Sequence, residues 1–240
     1  MGHIVEFIRA KIESSRKKGF VIGVSGGLDS SVCLYLVHKA VGSGRTHPVF
    51  MPHRPAHGEL KKTIGAMCTA LGLTMVEYDL GRIIAEFVKE TNCSNAVLTG
   101  NFAARIRMSF LYHHAAANDL LVVGTGNMTE KMTGYTTKWG DQAGDICPIG
   151  GLYKSQVYEL AEELGIPESV INVVPSAGFY EGQEDEKELG ISYAELDAIL
   201  RAIAAGSEKE LDQNKVNRVK ELIEASAHKR RFPESPALKV

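Results

Sequence analysis

Residues 20–31 read FVIGVSGGLDSS, and this stretch decides the fold that we predict for the chain. It opens with an apolar, largely β-branched run, which is typical of a buried parallel strand. The chain then turns through a serine and two glycines, and an apolar-periodic segment that runs up to Gly42 predicts a helix. A strand, a glycine turn and a helix start in this order form an anion site, because free backbone N–H groups and the helix dipole face the ligand.

The side chains of this turn indicate phosphate chemistry that depends on a metal ion. Ser25 and Ser30 add hydroxyl donors to the backbone N–H groups. Asp29 would repel a phosphate unless a cation lay between them, and we therefore interpret it as a Mg²⁺ ligand. No lysine follows the glycines, so the P-loop pattern GxxxxGK[ST] is excluded. The pattern SGGxDS instead resembles the pyrophosphate loop of the N-type ATP pyrophosphatases, which cleave ATP between its α and β phosphates.

The bulk composition is that of an ordinary soluble globular protein. The chain has 240 residues and a formal net charge of −2, so it shows no electrostatic footprint for sequence-independent nucleic-acid binding. We find no apolar run of transmembrane length and no signal peptide, and we expect no membrane association. The 4 cysteines form no CxxC pair, which favours neither a zinc site nor a disulfide framework. We expect a single domain over residues 1–240 and a reducing, cytoplasmic location.

Strand and helix patterns alternate along the first half of the chain. Strands are predicted near residues 49–51, 74–78 and 120–123, and helices over 4–18, 59–71, 82–90, 101–118, 152–164, 192–205 and 214–226. Gly19 fits the position just past the end of the first helix. This spacing is typical of βαβ crossovers, so we predict an α/β fold with a Rossmann-like, doubly wound parallel sheet flanked by helices.

Two further positions indicate a phosphate and metal site at the carboxyl edge of that sheet. Glu130 follows a second strand-to-glycine turn, where it would be a second carboxylate for Mg²⁺. Lys154 lies near a helix start, where a cation opposes the helix dipole, and a bound phosphate explains this position better than helix stability does. The polar loop at residues 134–144 reads as a substrate loop, although a solvated loop is the alternative.

Three other features leave alternatives open. Arg105 and Arg107 interrupt an apolar helix, and the pattern gives equal weight to one of them holding a ligand anion and to a surface or interface salt bridge. His53 and His57 follow the second strand, where a polar loop is favoured over a metal site. The acidic segment at residues 175–190 is a candidate lid or a solvated face.

Seven separated stretches together resemble one enzyme family. SGGLDSS, GNFAARIRM, GTGNMTE, GYTTKWGD, DICPIGGLYKSQVYELA, PSAGFYEGQEDEKELGISY and SAHKRRFPESP occur in the order seen in ammonia-dependent NAD synthetases, which are adenine nucleotide alpha hydrolase-like proteins. The resemblance covers residues 20–236 and is weakest over 40–95. It implies amidation of deamido-NAD (nicotinic acid adenine dinucleotide) to NAD with ammonia, through an acyl-adenylate formed from ATP, with release of AMP and pyrophosphate.

The resemblance also implies roles for individual residues, with Asp29 and Lys154 as the catalytic pair. The implied Mg²⁺ ligands are Asp29 and Glu130. The implied ATP contacts are Gly23, Val24, Ser25, Gly26, Gly27, Leu28, Asp29, Ser30, Thr125, Lys154 and Ser176. The implied deamido-NAD contacts are Arg105, Lys138, Asp145, His228 and Lys229, with the last two in a substrate-contacting tail at residues 226–240.

The resemblance further implies a homodimer, and no fused glutaminase domain fits within 240 residues of this composition. The sequence departs from the family pattern at Gln142, Lys131, Thr133 and the pair Tyr180-Glu181, all nearer the acceptor than the ATP side. One alternative is therefore a divergent ATP pyrophosphatase that amidates another carboxylate, although His228 and Lys229 favour a dinucleotide. Another is a catalytically dead nucleotide-binding protein, which the intact Asp29, Glu130 and Lys154 argue against.

Overall fold

A parallel sheet of four strands forms the centre of the molecule in the computed structural model, which describes residues 1–54, 57–180 and 182–236 without the side chain of His57. The strands are β1 (Gly19–Gly23), β2 (Thr46–Phe50), β3 (Val76–Glu77) and β4 (Leu120–Val123), in the order β3-β2-β1-β4. All three pairings are parallel. The predicted fold class, an α/β doubly wound parallel sheet, is confirmed.

The helices cover both faces of the sheet. They are α1 (Gly2–Ser15), α2 (Leu28–Val41), α3 (His57–Ala70), α4 (Gly81–Thr91), α5 (Ala96–Asn118), α6 (Met128–Thr133), α7 (Lys154–Glu163), α8 (Glu168–Ile171), α9 (Asp185–Leu189), α10 (Tyr193–Ala205) and α11 (Gln213–Ala225). Short 3₁₀ turns lie at Ser43–Arg45, Glu208–Glu210 and Ala227–Arg230.

The central strand β1 shows why the sheet needs cover on both sides. Phe20 and Ile22 pack into the core beneath α1, α2 and α7, whereas Val21 packs into the opposite core beneath α4 and α5. All three side chains are fully buried. Successive residues of a strand point to opposite faces, so a strand that is apolar at every position is stable only between two layers of helices.

A third apolar cluster lies between α10 and α11, away from the sheet, and includes Leu196, Ile199, Val216 and Val219. These two helices pack against α6, and α10 also packs against α7, so they support the elements that follow β4. Among the described residues, no helix is both long and apolar enough to cross a membrane.

The ends of three predicted elements differ in the structure. Helix α5 begins at Ala96 rather than at residue 101, because the Asn95 side chain caps it by accepting a hydrogen bond from the Leu98 N–H at 3.0 Å. Strand β3 is limited to Val76–Glu77. Helix α1 ends at Ser15 with Arg16 in the left-handed region at φ 57°, so Gly19 lies inside β1 and does not end the helix.

The requirement for glycine at position 19 has a different cause from the one that we predicted. A Cβ atom at Gly19 would lie 2.5 Å from the carbonyl oxygen of Arg45, in the turn that leads into β2. That oxygen belongs to the backbone, so it cannot move aside as a flexible side chain could. Glycine therefore allows β1 to begin beside this turn.

We expect Gly19→Ala to destabilise the fold by about 1–3 kcal/mol, because the added methyl group overlaps backbone atoms. Gly44→Ala is the matched control, since a Cβ at Gly44 would meet no atom within 4 Å. The free energy of unfolding from urea titration measures both effects. Equal stability of the two variants would show that the contact at Gly19 relaxes without cost.

Candidate functional site

A cavity of about 570 Å³ opens at the carboxyl edge of the sheet. Ligands bind at this edge in open α/β sheets, because loops that leave neighbouring strands diverge there. Its walls come from the turn after β1, the turn after β4, the start of α7 and the segment at residues 173–179.

The phosphate loop after β1 is held in shape by its own serines. Ser30 Oγ accepts a hydrogen bond from the Ser25 N–H at 3.2 Å and donates to the Gly27 carbonyl at 3.1 Å. Gly26 has φ 83°, in the left-handed region that favours glycine. Helix α2 then begins at Leu28 without a side-chain cap, so its first N–H groups are available to a bound anion.

An ion pair between Lys154 and Asp29 joins the start of α7 to the phosphate loop. Lys154 Nζ donates to Asp29 Oδ2, and Asn127 Nδ2 donates to Asp29 Oδ1 at 2.9 Å. The lysine side chain is only 3% exposed and the aspartate 19%. Burial alone would lower the pKa of Lys154, but the negative charges of Asp29 and Glu130 outweigh this effect and raise it. Lys154 is therefore a fixed cation on the cavity wall.

Glu130 is the second carboxylate of this cluster, and it is fixed by a capping box at the start of α6. Its N–H donates to Asn127 Oδ1 at 3.0 Å, and its Oε2 accepts from the Asn127 N–H at 3.2 Å. Burial and then the charge of Asp29 raise the pKa of Glu130 to about 8, with Lys154 acting in the opposite sense. Two carboxylates therefore lie near a single lysine, and a further cation would stabilise their combined negative charge.

Asp197 of α10 is a buried carboxylate that the sequence analysis missed. It binds the starts of α6 and α7, the helices that carry Glu130 and Lys154. Its Oδ1 accepts from Thr129 Oγ1 at 2.5 Å, and its Oδ2 accepts from the Ser155 N–H at 2.7 Å. Thr129 Oγ1 in turn accepts from the Lys154 N–H at 2.9 Å. The available signal was an aspartate within the apolar face of α10, because a buried carboxylate requires nearby donors.

The predicted lid contributes residues 175–179, Gln183, Asp185 and Glu188 to the cavity wall, while Glu181 lies outside the described residues. Asp185 accepts from the Ala177 N–H at 2.9 Å and from the Tyr193 hydroxyl at 3.0 Å. A Cβ at Gly100 would lie 2.2 Å from the Phe179 ring, so this aromatic side chain packs directly on the backbone of α5. The segment thus covers the cavity, and its opening and closing stay a prediction.

Glu188 joins this segment to the loop after α6. It accepts hydrogen bonds from the hydroxyls of Tyr135 and Tyr180, each at 2.5 Å, and from Gln183 Nε2 at 3.0 Å. Burial acts to raise the pKa of Glu188, but these three donors outweigh it and lower the pKa. Tyr180, one of the departures from the family pattern, is thus tied to the cavity wall.

The structure brings all of the predicted ATP-side residues to one cavity. The cavity wall includes the whole phosphate loop from Gly23 to Ser30, together with Thr125, Glu130, Lys154 and Ser176. Ser176 Oγ accepts from the Gly178 N–H at 3.1 Å, which shapes the turn of the segment above the loop.

The predicted acceptor-side residues are more dispersed. Lys229 lines the cavity, and its Nζ donates to the carbonyls of Gly134 and Thr136 at 2.6 Å each. Three others form a chain outside the cavity wall: Arg105 Nε donates to the Lys138 carbonyl at 3.2 Å, and Lys138 Nζ donates to the His228 carbonyl at 2.7 Å.

Asp145 and Gln142 have structural contacts that the sequence analysis did not predict. The Asp145 carboxylate accepts from the Val122 N–H of β4 at 2.7 Å. Gln142, a departure from the family pattern, donates to the Lys229 carbonyl at 2.6 Å. It therefore fastens the tail to the substrate loop, a contact that glycine could not make. Residues 237–240 of the predicted tail lie outside the described residues.

Comparison with known proteins gives one consistent family. The family model described as NAD synthase matches residues 1–233. The NH(3)-dependent NAD(+) synthetase of Thermococcus sibiricus is 40% identical, over 98% of this chain and 95% of that protein. The NH3-dependent NAD synthetase of Campylobacter jejuni superposes with a TM-score of 0.85 at 31% identity, covering 98% of this chain and 96% of that one.

A solved structure that is named for a different activity is equally similar to this chain. The NMN synthetase of Francisella tularensis superposes with a TM-score of 0.88 at 31% identity, covering 99% of this chain and 97% of that one.

We expect Glu130→Gln to flatten the pH dependence of stability in metal-free buffer. The folded pKa of Glu130 is raised from its ordinary value of 4.5 to about 8, so its contribution is fully present below the lower value and is lost as pH rises through the higher one. Between pH 5.5 and 7.5 this amounts to at most about 1.4 kcal/mol per pH unit. Thermal unfolding with a chelator present measures the slope.

The control for this experiment is Glu13→Gln, since Glu13 is exposed on α1. Its pH profile should match that of the unmodified protein. An unchanged slope in Glu130→Gln would contradict the assignment of the raised pKa to this residue.

Proposed function

The chain belongs to the NAD synthase family, and we propose on this premise that it converts deamido-NAD to NAD in an ATP-dependent reaction with ammonia. The observation that carries the proposal is the convergence of the phosphate loop, Lys154 and two carboxylates on one cavity. This combination suits a reaction at a phosphate group, because the backbone N–H groups of the loop and Lys154 can bind the phosphates while the two carboxylates can hold a divalent cation beside them.

Activation of the acceptor carboxylate is proposed to proceed by its attack on the α phosphate of ATP. The new O–P bond yields an acyl-adenylate, and the bond between the α and β phosphates breaks with release of pyrophosphate. Ammonia then attacks the acyl carbon, loses a proton and displaces AMP, which leaves the amide. Negative charge gathers on the phosphates in the first step, so the protein needs cations and N–H donors rather than a nucleophile of its own.

The residues of the cavity supply these groups. Backbone N–H groups of the phosphate loop and the cation of Lys154 stabilise the departing pyrophosphate, while the packed cavity walls align the two substrates. The segment at residues 175–179 excludes water, which protects the acyl-adenylate until ammonia arrives.

The donor set of Asp29 and Glu130 fits Mg²⁺, because carboxylate oxygens are the ligands that this ion prefers. Among the described residues, no three His, Cys, Asp or Glu side chains are grouped to hold a metal, so these two carboxylates would share the ion with ATP phosphates. When bound, Mg²⁺ supplies charge neutralisation of the phosphates. Asp29 and Glu130 would hold the ion, and Lys154 would stay paired with Asp29 beside the phosphates.

The proposed ATP contacts are the phosphate loop, Thr125, Lys154 and Ser176, all of which line the cavity. The proposed deamido-NAD contacts are Arg105, Lys138, Asp145, His228 and Lys229. Arg105, Lys138 and His228 lie in one chain of hydrogen bonds beside the cavity, and this proximity supports a shared role on the acceptor side.

A second candidate acceptor is a nicotinate mononucleotide, the acid from which NMN would be formed. The likeness to an NMN synthetase, with a TM-score of 0.88, favours this candidate. Chemistry at the carboxylate is identical for both acceptors, and the difference lies in whether the protein also holds a distal adenylate.

We further propose a homodimer in the cytoplasm. Leu98 at the start of α5 is 59% exposed and is not part of the cavity wall, which supports an interface at this end of the helix. The four free cysteines suit a reducing compartment. Sedimentation equilibrium at micromolar concentration tests the dimer, and a single species of 26.1 kDa would contradict it.

The function is tested by incubating the protein with ATP, Mg²⁺ and deamido-NAD, with either ammonium or glutamine as the nitrogen source. We expect NAD to form with ammonium, and nicotinic acid mononucleotide in place of deamido-NAD measures the second candidate. A higher kcat/KM for the mononucleotide would move the assignment to that acceptor. Absence of amide product from both would contradict the proposal.

We expect Asp29→Asn to lower kcat by at least about 100-fold at saturating Mg²⁺, because the substitution removes a charge that the metal and Lys154 both use. Asp119→Asn is the control, since Asp119 pairs with Lys17 on the surface at 2.8 Å. Steady-state kinetics and thermal unfolding are measured on both. Turnover of Asp29→Asn within a few-fold of the unmodified enzyme would contradict the metal assignment.

A further inference from the structure

Arg107 of α5 is a cation on the cavity wall that none of the assigned roles uses. Its Nε donates to the Met51 carbonyl at 3.3 Å, and its Nη2 lies 2.7 Å from His53 Nδ1. No described residue accepts a hydrogen bond from Nη1, and Nη1 is not among the enclosed atoms without a partner. Because Arg107 lines the cavity, this atom borders the cavity space.

Within the part of the chain that the structure describes, no carboxylate is in contact with the charge of Arg107. None of the ion pairs between described residues includes Arg107 or Arg54. Burial and then Arg54 lower the pKa of Arg107 to about 10, while the more distant Asp141 acts to raise it. The guanidinium is thus fully protonated at neutral pH, and a buried cation without a counter-charge is costly.

Arg54 adds to the positive charge at this wall. Its Nη2 donates to the Gly178 carbonyl in the segment that covers the cavity. Its Nε is enclosed and has no hydrogen-bond partner among the described residues. Two positive charges therefore lie close together here, and the Nε–H of Arg54 has no acceptor among the described residues.

Arg107 lies on a different side of the cavity from Glu130 and Lys154. It lies beside Met51 and His53, which follow β2, whereas Glu130 and Lys154 follow β4. Strands β2 and β4 flank β1 on opposite sides. The cavity thus has Glu130 and Lys154 on one side of the phosphate loop and Arg107 on the other. Arg54 does not line the cavity but bonds to Gly178, which does.

We propose that Arg107 binds an oxyanion of a nucleotide substrate, on the β2 side of the cavity. The proposal rests on the proposed function for the identity of the substrates, and the anion is a phosphate or carboxylate of either ATP or deamido-NAD. A guanidinium suits this role, because it presents a planar pair of donors to such a group. Arg105, two residues earlier on the helix, is exposed and donates to the Lys138 carbonyl outside the cavity wall.

The test compares Arg107→Met with Arg107→Lys and the control Arg82→Met, in which the substituted arginine is exposed on α4. KM and kcat are measured for ATP and for deamido-NAD. Calorimetric titration with AMP and, separately, with deamido-NAD measures binding without turnover. Thermal unfolding shows whether each variant is folded, and Arg107→Gln, which removes the charge but keeps a polar side chain, replaces Arg107→Met if that variant does not fold.

We expect Arg107→Met to raise KM or the dissociation constant for one substrate by about tenfold or more, as loss of a charge-assisted hydrogen bond implies. Arg107→Lys should recover part of this loss, and Arg82→Met should change neither. A change for ATP and AMP identifies the nucleoside triphosphate as the source of the anion, whereas a change for deamido-NAD alone identifies the acceptor.

Unchanged binding of both substrates in a folded Arg107→Met variant would overturn the proposal and leave Arg107 as a support for the end of β2. Unchanged binding in a folded Arg107→Gln variant would overturn it equally if Arg107→Met does not fold. Failure of the proposed function is distinguishable, because the unmodified protein would then form no NAD although the titrations still report whether Arg107 affects nucleotide binding.

Discussion

The ion pair between Lys154 and Asp29 is the contact on which the rest of the site depends. The lysine is not free to move to solvent, because its side chain is 3% exposed and its Nζ lies 5.3 Å from the centre of the Tyr193 ring. Burial of two charges is costly unless they are paired and their remaining hydrogen-bonding groups are satisfied. Asn127 supplies the further contact to Asp29, and it is itself fixed in the capping box with Glu130.

This constraint explains the arrangement of the helices around the cluster. Asp197 fastens the starts of α6 and α7 to α10, so the helix pair α10 and α11 acts as the support of Lys154 and Glu130. The same pair leads into the tail, where Lys229 returns to the cavity wall. Asp185 and Glu188 connect the covering segment to Tyr193 and Tyr135. The phosphate loop, the covering segment and the tail are thus joined through one set of polar contacts.

Local patterns were enough to predict the sheet and the cluster of Asp29, Glu130 and Lys154, because each of these three residues lies at the start of a helix. Asp197 was missed because its partners lie 68 and 42 residues away in sequence, and no local pattern records such a contact. The pattern also gave Arg105 and Arg107 equal weight. Residues two positions apart on a helix point in different directions, so only the packing of α5 decides which one reaches the cavity.

The acceptor side was the least predictable part for a related physical reason. Its predicted residues come from α5, the substrate loop and the tail. The long side chains of Arg105, Lys138 and Lys229 donate to backbone carbonyls of other segments, and no rigid turn fixes them. The roles of Arg105, Lys138 and His228 therefore remain predictions, whereas their mutual proximity is a feature of the fold. Gln142 shows how one departure from a family pattern gains a structural partner, since it holds the backbone of Lys229.

The most direct test of this account is exchange of radiolabelled pyrophosphate into ATP without ammonia. If the cavity catalyses adenylation of the acceptor, label should enter ATP only when both Mg²⁺ and deamido-NAD are present, because the acyl-adenylate forms and reverts. NAD formation by an enzyme that shows no such exchange, with the label free to rebind, would contradict an acyl-adenylate step built on Lys154 and Asp29.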